Sequence, residues 1–337
     1  MDLVGPGPAV TGRPQRTDPD RAASTGDQPV SALWLQHLHA PARGVPPLFA
    51  GLCDDAAMFP PGNAPAAEAV SAHRRHRTAW YRDLVGPFLA TAAHLPAVIE
   101  EVRALHAAGP FGMAGPPDPV SLVLVVPEGP PALNDALRIA TSEPGLELVG
   151  VELASGGDGT PAEAARSAAV ALESALPDQV GGVIEVRRGY GLGAALDAVA
   201  DSRFRAKLRT GGTTAQAFPT EEELAGFIVG CVVRGLPFKC TAGLHEAARH
   251  TDSATGFEHH GFLNVLTAAH VACQGGDVAE VAAVLAERSA RPLADTLRDL
   301  NPDDVIRARA AFTAYGTCSI AEPLADLVAL GLIVPQG

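Results

Sequence analysis

Hydrophobic and polar positions along this chain alternate between two periods. Runs at residues 86–90, 120–126, 146–153, 182–187, 205–210 and 237–241 read as strands. They recur at intervals of roughly 24–35 residues, the spacing of a βα unit. Helical patterns lie between them, at 97–108, 132–140, 161–176, 192–201 and 219–234. In the first of these, Val98, Val102 and Leu105 fall on one helical face. The last opens with Thr220-x-x-Glu223, a capping-box signature.

Alternating strands and helices imply a parallel sheet with helices outside. No glycine-rich phosphate turn follows an early strand, which argues against a doubly wound dinucleotide fold. The chain therefore reads as an α/β protein with a (β/α)8 TIM-type barrel. Residues 262–310 look mostly helical, and 313–320 supply a closing strand before a helix at 322–330. This leaves the barrel incomplete or distorted near the C-terminus. A helix over 65–82, rich in arginine, is expected to cover the barrel bottom or to form an oligomer contact. Residues 1–30 are rich in Pro, Gly, Asp and Arg and read as a disordered tail ahead of one domain, 31–337.

Three of the strand-like runs carry charge on one face. Glu185 and Arg187 alternate with Ile184 and Val186; Lys207 and Arg209 flank Leu208; Lys239 and Thr241 alternate with Phe238 and Cys240. A buried parallel strand is normally near-continuous Val, Ile and Leu. Charges inside such strands cost several kcal/mol unless paired or used. A shared polar face therefore points to a site at the barrel interior, where such folds place their chemistry.

Lys207 and Arg209 precede Thr210-Gly211-Gly212, and two cations beside glycine amides suit a carboxylate or phosphate. The plainer alternative has both cations reaching solvent or pairing with Glu185. Lys239 is either a catalytic amine or the ion-pair partner of Glu185. Glu185 is a base, a metal ligand or a counter-charge. His245, His250, His259 and His260 crowd one segment with Asp252 and Glu258, which suits a divalent metal or a mobile lid. Asp54 and Asp55, before a stiff Phe59-Pro60-Pro61 turn, reach over the barrel mouth or cap a helix. Cys318 has no partner nearby in sequence that would make it a nucleophile.

Net charge at neutral pH is −13 over 337 residues, which argues against nucleic acid or an anionic membrane as a bulk partner. No apolar run reaches the ~18 residues of a membrane span, and the first residues lack the pattern of a secretory signal. Five cysteines without a CxxC suit reduced thiols and a cytoplasmic protein.

Asp54-Asp55-Ala-x-x-Phe59-Pro-Pro, Lys207-x-Arg-Thr-Gly-Gly, Phe238-Lys-x-Thr-Ala-Gly-Leu-His245, Gly261-Phe-Leu-Asn264 and Gly316-x-Cys-Ser resemble motifs of an uncharacterised bacterial family. That likeness runs from about residue 48 onward and implies no activity. Phe238-Lys239-Cys-Thr241-Ala-Gly243 is also similar to the lysine strand of deoxyribose-phosphate-aldolase-like class I aldolases. That resemblance implies a Schiff base on Lys239 with Lys207 as the neighbouring cation. Cys240 and Ala242 depart from the hydroxyl-rich pattern of those enzymes.

The expectation is a barrel enzyme, lyase or isomerase, acting on a small anionic carbonyl metabolite by lysine or enolate chemistry. Lys239, Lys207, Glu185 and His245 are the catalytic candidates. Arg187, Arg209, Thr210, Gly211, Gly212, Thr241, His260, Asn264, Asp54 and Asp55 are the substrate-binding candidates. This chemistry requires no cofactor. A metal enzyme built on His245–His260 and a non-catalytic metabolite-binding protein are the alternatives, and a homo-oligomer is compatible with either.

Overall fold

A computed structural model describes residues 1, 44–107, 118–157 and 159–335. The expected tail, 1–30, lies outside the described residues apart from Met1. Eight parallel strands close into a barrel: β1 (Cys53–Asp55), β2 (Val85–Thr91), β3 (Val120–Val126), β4 (Leu146–Ala154), β5 (Gly181–Glu185), β6 (Arg205–Arg209), β7 (Phe238–Thr241) and β10 (Phe312–Thr317). β8 (His250–Thr251) and β9 (Glu258–His259) form a small antiparallel ribbon above β7. β1 pairs with both β2 and β10, so no edge remains open.

The fold is thus a (β/α)8 barrel, and it is complete. The apparent gap at the C-terminal side arose because β1 carries no apolar alternation. Its three residues, Cys-Asp-Asp, read as irregular chain. Residues 262–310 hold no barrel strand. They form four helices, Phe262–Cys273, Val278–Leu285, Ala290–Arg298 and Pro302–Ala311, that expand the connection from β7 to β10. The arginine-rich segment is α1 (Ala66–Thr78), the first helix of the outer ring rather than a bottom cover. Among the described residues, no helix is long and apolar enough to cross a membrane.

The Thr220–Glu223 capping box is present at the start of Glu221–Val232, with reciprocal bonds of 2.9 and 3.2 Å. Each side chain thereby satisfies an otherwise unpaired backbone N–H. The larger apolar core lies between strands and helices and includes Leu52, Phe88, Leu124, Ile184, Leu208 and Phe238. A second, small cluster joins Ala56, Leu89, Val123 and Val125, with Phe59 packed against it. The latter fills one side of the barrel interior.

Glycines allow the loops after β6 and β7 to touch. A Cβ on Gly211 would lie 2.9 Å from the Gly243 backbone, and one on Gly243 would lie 2.9 Å from the Thr210 carbonyl oxygen. Gly243 also has φ +76°, whereas Gly235 (φ +60°) faces open space. Gly235→Ala should cost about 1 kcal/mol, for left-handed backbone alone. Gly243→Ala should cost about 1–3 kcal/mol more, from overpacking against main chain. Urea midpoints measure both; equal losses would show that the β6–β7 loop contact carries no strain.

Candidate functional site

The inner face of the barrel carries a chain of alternating charges. Glu152 on β4 lies at its centre. Its Oε2 accepts from Lys207 Nζ at 2.6 Å, and its Oε1 accepts from Lys239 Nζ. Lys239 also donates to Asp54 Oδ2 on β1. Lys207 Nζ stands 2.8 Å from Glu185 Oε2, and Glu185 Oε1 accepts from Arg209 Nε at 3.3 Å. The order is Asp54, Lys239, Glu152, Lys207, Glu185, Arg209. Side-chain exposure rises from 1% at Glu152 through 21% at Glu185 to 50% at Arg209. The chain therefore runs from the barrel centre to its mouth, at the carboxyl ends of the strands.

Strand geometry explains the assembly. Lys207 and Lys239 are directly paired in register across β6 and β7, and Glu185 pairs with Lys207 across β5 and β6. Residues in register project to one side, so like charges on neighbouring strands face each other unless an anion separates them. Glu152 supplies that anion. Gly86 on β2 makes room for Asp54, since a Cβ there would lie 2.1 Å from Asp54 Oδ1. Thr241 faces the same interior, its Oγ1 3.3 Å from where a Cβ on Gly316 would stand, beside Leu89.

Burial alone would favour the neutral form of every member. For Glu152, Lys207 and Lys239 outweigh that effect and hold the carboxyl far below its usual range. Glu185 is lowered too, with Lys207 and Arg209 outweighing its desolvation. Lys207, despite burial, is held above the usual lysine value by Glu152 and Glu185. Asp54 differs: desolvation wins over Lys239, and its carboxyl is pushed upward. Asp54 is thus the member of the chain most ready to take a proton. Arg205, one strand step below Lys207, donates to Thr313 Oγ1 at 2.9 Å, and its charge is felt by both Asp54 and Glu152.

Several residues singled out in the sequence stand elsewhere. Asp55 points away from the barrel interior, because adjacent strand residues face opposite ways. Its Oδ2 meets His73 Nδ1 on α1 at 3.0 Å, and its Oδ1 accepts from the Ala57 amide. Arg187 is exposed and donates to the Gly157 carbonyl at 2.6 Å. The Thr210 hydroxyl is committed to the Ala242 carbonyl at 2.6 Å and ties the β6 and β7 loops together. Gly211 is buried against that same turn, while Gly212 is exposed.

The histidine segment divides. His260 is buried between the Pro219 carbonyl, 2.9 Å from Nε2, and Arg249, and desolvation lowers it to about 4, so it is neutral. Asn264 accepts from the Arg249 amide and donates to the Val284 and Glu287 carbonyls, locking helix to loop. His250 and His259 face each other in the ribbon, ring centroids 5.2 Å apart. His245 meets Glu322 and Cys318 on the far side of the β10 loop. Among the described residues, no group of three or more His, Cys, Asp or Glu is placed to hold a metal ion.

Glu152 and Arg205 were not singled out in the sequence. Glu152 lies in an apolar run that also holds Glu147, and Glu147 is exposed. Only the period-two phase, set by Val151 and Leu153 in the core, marks Glu152 as inward.

No family model matches the chain, and no curated protein matches it. Among solved structures, the chain is similar to one from Coccidioides immitis described as a proposed fructose-1,6-biphosphate aldolase. The match has 12% identity and a TM-score of 0.36, and covers 63% of this chain and 68% of the other. At that level the likeness says nothing of activity.

Removing Lys239 leaves Asp54 buried without its partner, while Glu152 keeps Lys207. Lys239→Met should therefore lose about 3–5 kcal/mol at pH 7. The variant's Asp54, with folded pKa raised above its unfolded value, binds its proton more tightly in the folded state. The penalty should then shrink as pH falls from 7 toward 4, by up to about 1.4 kcal/mol per pH unit. Denaturant melts of both proteins across that range test this. A difference independent of pH would contradict a stranded carboxylate.

Proposed function

We propose that the protein is a barrel enzyme of lyase type, acting on a small anionic carbonyl compound through a lysine of the inner charge chain. The observation that carries this reading is the buried pair of lysines bridged by Glu152, with exposure rising along the chain to Glu185 and Arg209. A purely structural ion pair gains little by burial, since replacing such a pair with apolar residues is often neutral or stabilising. A chain of this length across five strands is a costly way to hold a barrel closed.

Lys239 is the better nucleophile. A nucleophilic lysine must shed its proton. Lys207 stands between two carboxylates that are both held ionised, which keeps it charged. Lys239 shares Glu152 with Lys207, but its other partner is Asp54, whose carboxyl is pushed upward by burial and can accept that proton. The Lys239 amine then bonds to the carbonyl carbon. The carbonyl oxygen leaves as water, taking one amine proton and the proton returned from Asp54, while the other amine proton stays on the nitrogen of the protonated imine. The imine withdraws electrons as a neighbouring C–C or C–H bond breaks. Lys207 is a fixed cation for the developing negative charge, and Glu185 is the group placed to carry a proton toward the mouth. Thr241 faces the same space.

Anion preference follows from Arg209. Its Nε meets Glu185, but among the described residues its two Nη groups have no protein acceptor. A planar guanidinium offering such an edge at the mouth suits a carboxylate or phosphate. The exposed Gly212 is the adjacent loop position.

Incubation with small keto acids and phosphorylated aldehydes and ketones, followed by borohydride, tests the reading. The expected result is a covalent adduct mapped by mass spectrometry to the peptide containing Lys239, absent from Lys239→Met. Tight binding of the same compounds with no adduct and no turnover would favour a non-catalytic metabolite-binding protein. An adduct at Lys207 alone would reverse the roles of the two lysines.

A further inference from the structure

We propose that Cys318 and His245 form a second reactive centre, a nucleophilic thiol site at the rim of the barrel that takes small soft electrophiles. Cys318 follows the end of β10, and His245 follows the end of β7, so two paired strands deliver them to one place. Cys318 Sγ lies 3.8 Å from His245 Nδ1, within contact for a sulfur hydrogen bond. The same Nδ1 lies 3.0 Å from Glu322 Oε2, on the first turn of the helix Ala321–Ala329. A carboxylate on the imidazole favours its charged form, and an imidazolium beside a thiol favours the thiolate.

The hydrogen bond with Cys318, ahead of Glu322, raises His245 above the usual histidine value. Asp326 on that helix and His250 and His259 of the ribbon are the other titratable groups around the centre. Neither Cys318 nor His245 is fully buried, so a small reagent can reach them. The remaining cysteines lack this arrangement. Cys53, Cys231 and Cys240 are fully buried, and desolvation pushes all three thiols up. Cys273 is partly exposed like Cys318, but its sulfur meets only the Arg307 carbonyl, and burial raises its thiol too. Cys273 is therefore the reference for a partly exposed thiol without an imidazole partner.

Alkylation by iodoacetamide tests the site. The Cys318 sulfur lone pair forms the S–C bond, the C–I bond breaks and iodide leaves, while the thiol proton stays on His245. An ordinary cysteine is only about 3% thiolate at pH 7, and a fully formed thiolate is partly offset by its lower nucleophilicity. In the full-length protein, peptide-resolved mass spectrometry at pH 7 should show Cys318 labelled about fivefold or more faster than Cys273. In His245→Asn that excess should vanish, with Cys273 labelling unchanged as a check on folding. The proposal is overturned if wild-type Cys318 labels no faster than Cys273, a comparison that stands even if His245→Asn fails to fold. It is equally overturned if a folded His245→Asn protein retains the excess.

Discussion

One carboxylate holds the inner half of this barrel together. Glu152 gives one oxygen to Lys239 and the other to Lys207. Without it, two lysines in direct register on adjacent strands would face each other in a space closed to water. Burying an ion costs several kcal/mol, and only near-complete pairing offsets that cost. The chain from Asp54 to Arg209 meets the condition. Each buried cation has two anions, and the ends are closed by Asp54 at the centre and by solvent at the mouth. Five strands contribute, so the charge order constrains strand order and register together. The opposite side of the interior needs no such device, because Leu89, Val123 and Val125 fill it with apolar volume.

Much of the architecture was legible in the sequence because its cause is periodic. β2 to β7 and the helices between them follow apolar spacing, and β3 was read to the residue. β1 was not, because a three-residue strand of Cys-Asp-Asp has neither length nor apolar alternation. Both its acids are buried, one on each face, and each meets a cation or imidazole that only the fold brings near. The same limit hid Glu152. Its two partners lie 55 and 87 residues away in sequence. Charges on β5, β6 and β7 were legible as a face, with Glu185 meeting Lys207 and Arg209, but both carboxylates of Lys239 came from β1 and β4. Histidine density was informative only in part for a related reason: His250 and His259 stay face to face in the ribbon near His245, while His260 turns away to the Pro219 carbonyl.

The inner charge chain and the Cys318–His245 contact share a structural origin. β7 carries Lys239 at its second residue and leads to His245; β10 pairs with β7 and leads to Cys318. The lysine is enclosed within the barrel and paired with two carboxylates, whereas the thiol lies at the rim beside an imidazole. The loops between them are closely held by the Thr210 hydroxyl and by Gly211 and Gly243, which let main chain pack on main chain. The two lysines thus stand on paired strands rather than on free loops.

Lysine and enolate chemistry both pass through loss of a proton next to a carbonyl group. The most direct measurement is therefore deuterium exchange at that carbon, followed by proton NMR in D2O with small keto acids and phosphorylated ketones. The account predicts enzyme-dependent exchange of a single α-proton in at least one of these compounds, abolished in Lys239→Met under conditions where that variant is folded. Exchange that persists undiminished in the folded variant, or none with any compound that binds, would contradict the assignment of the inner charge chain as the seat of catalysis.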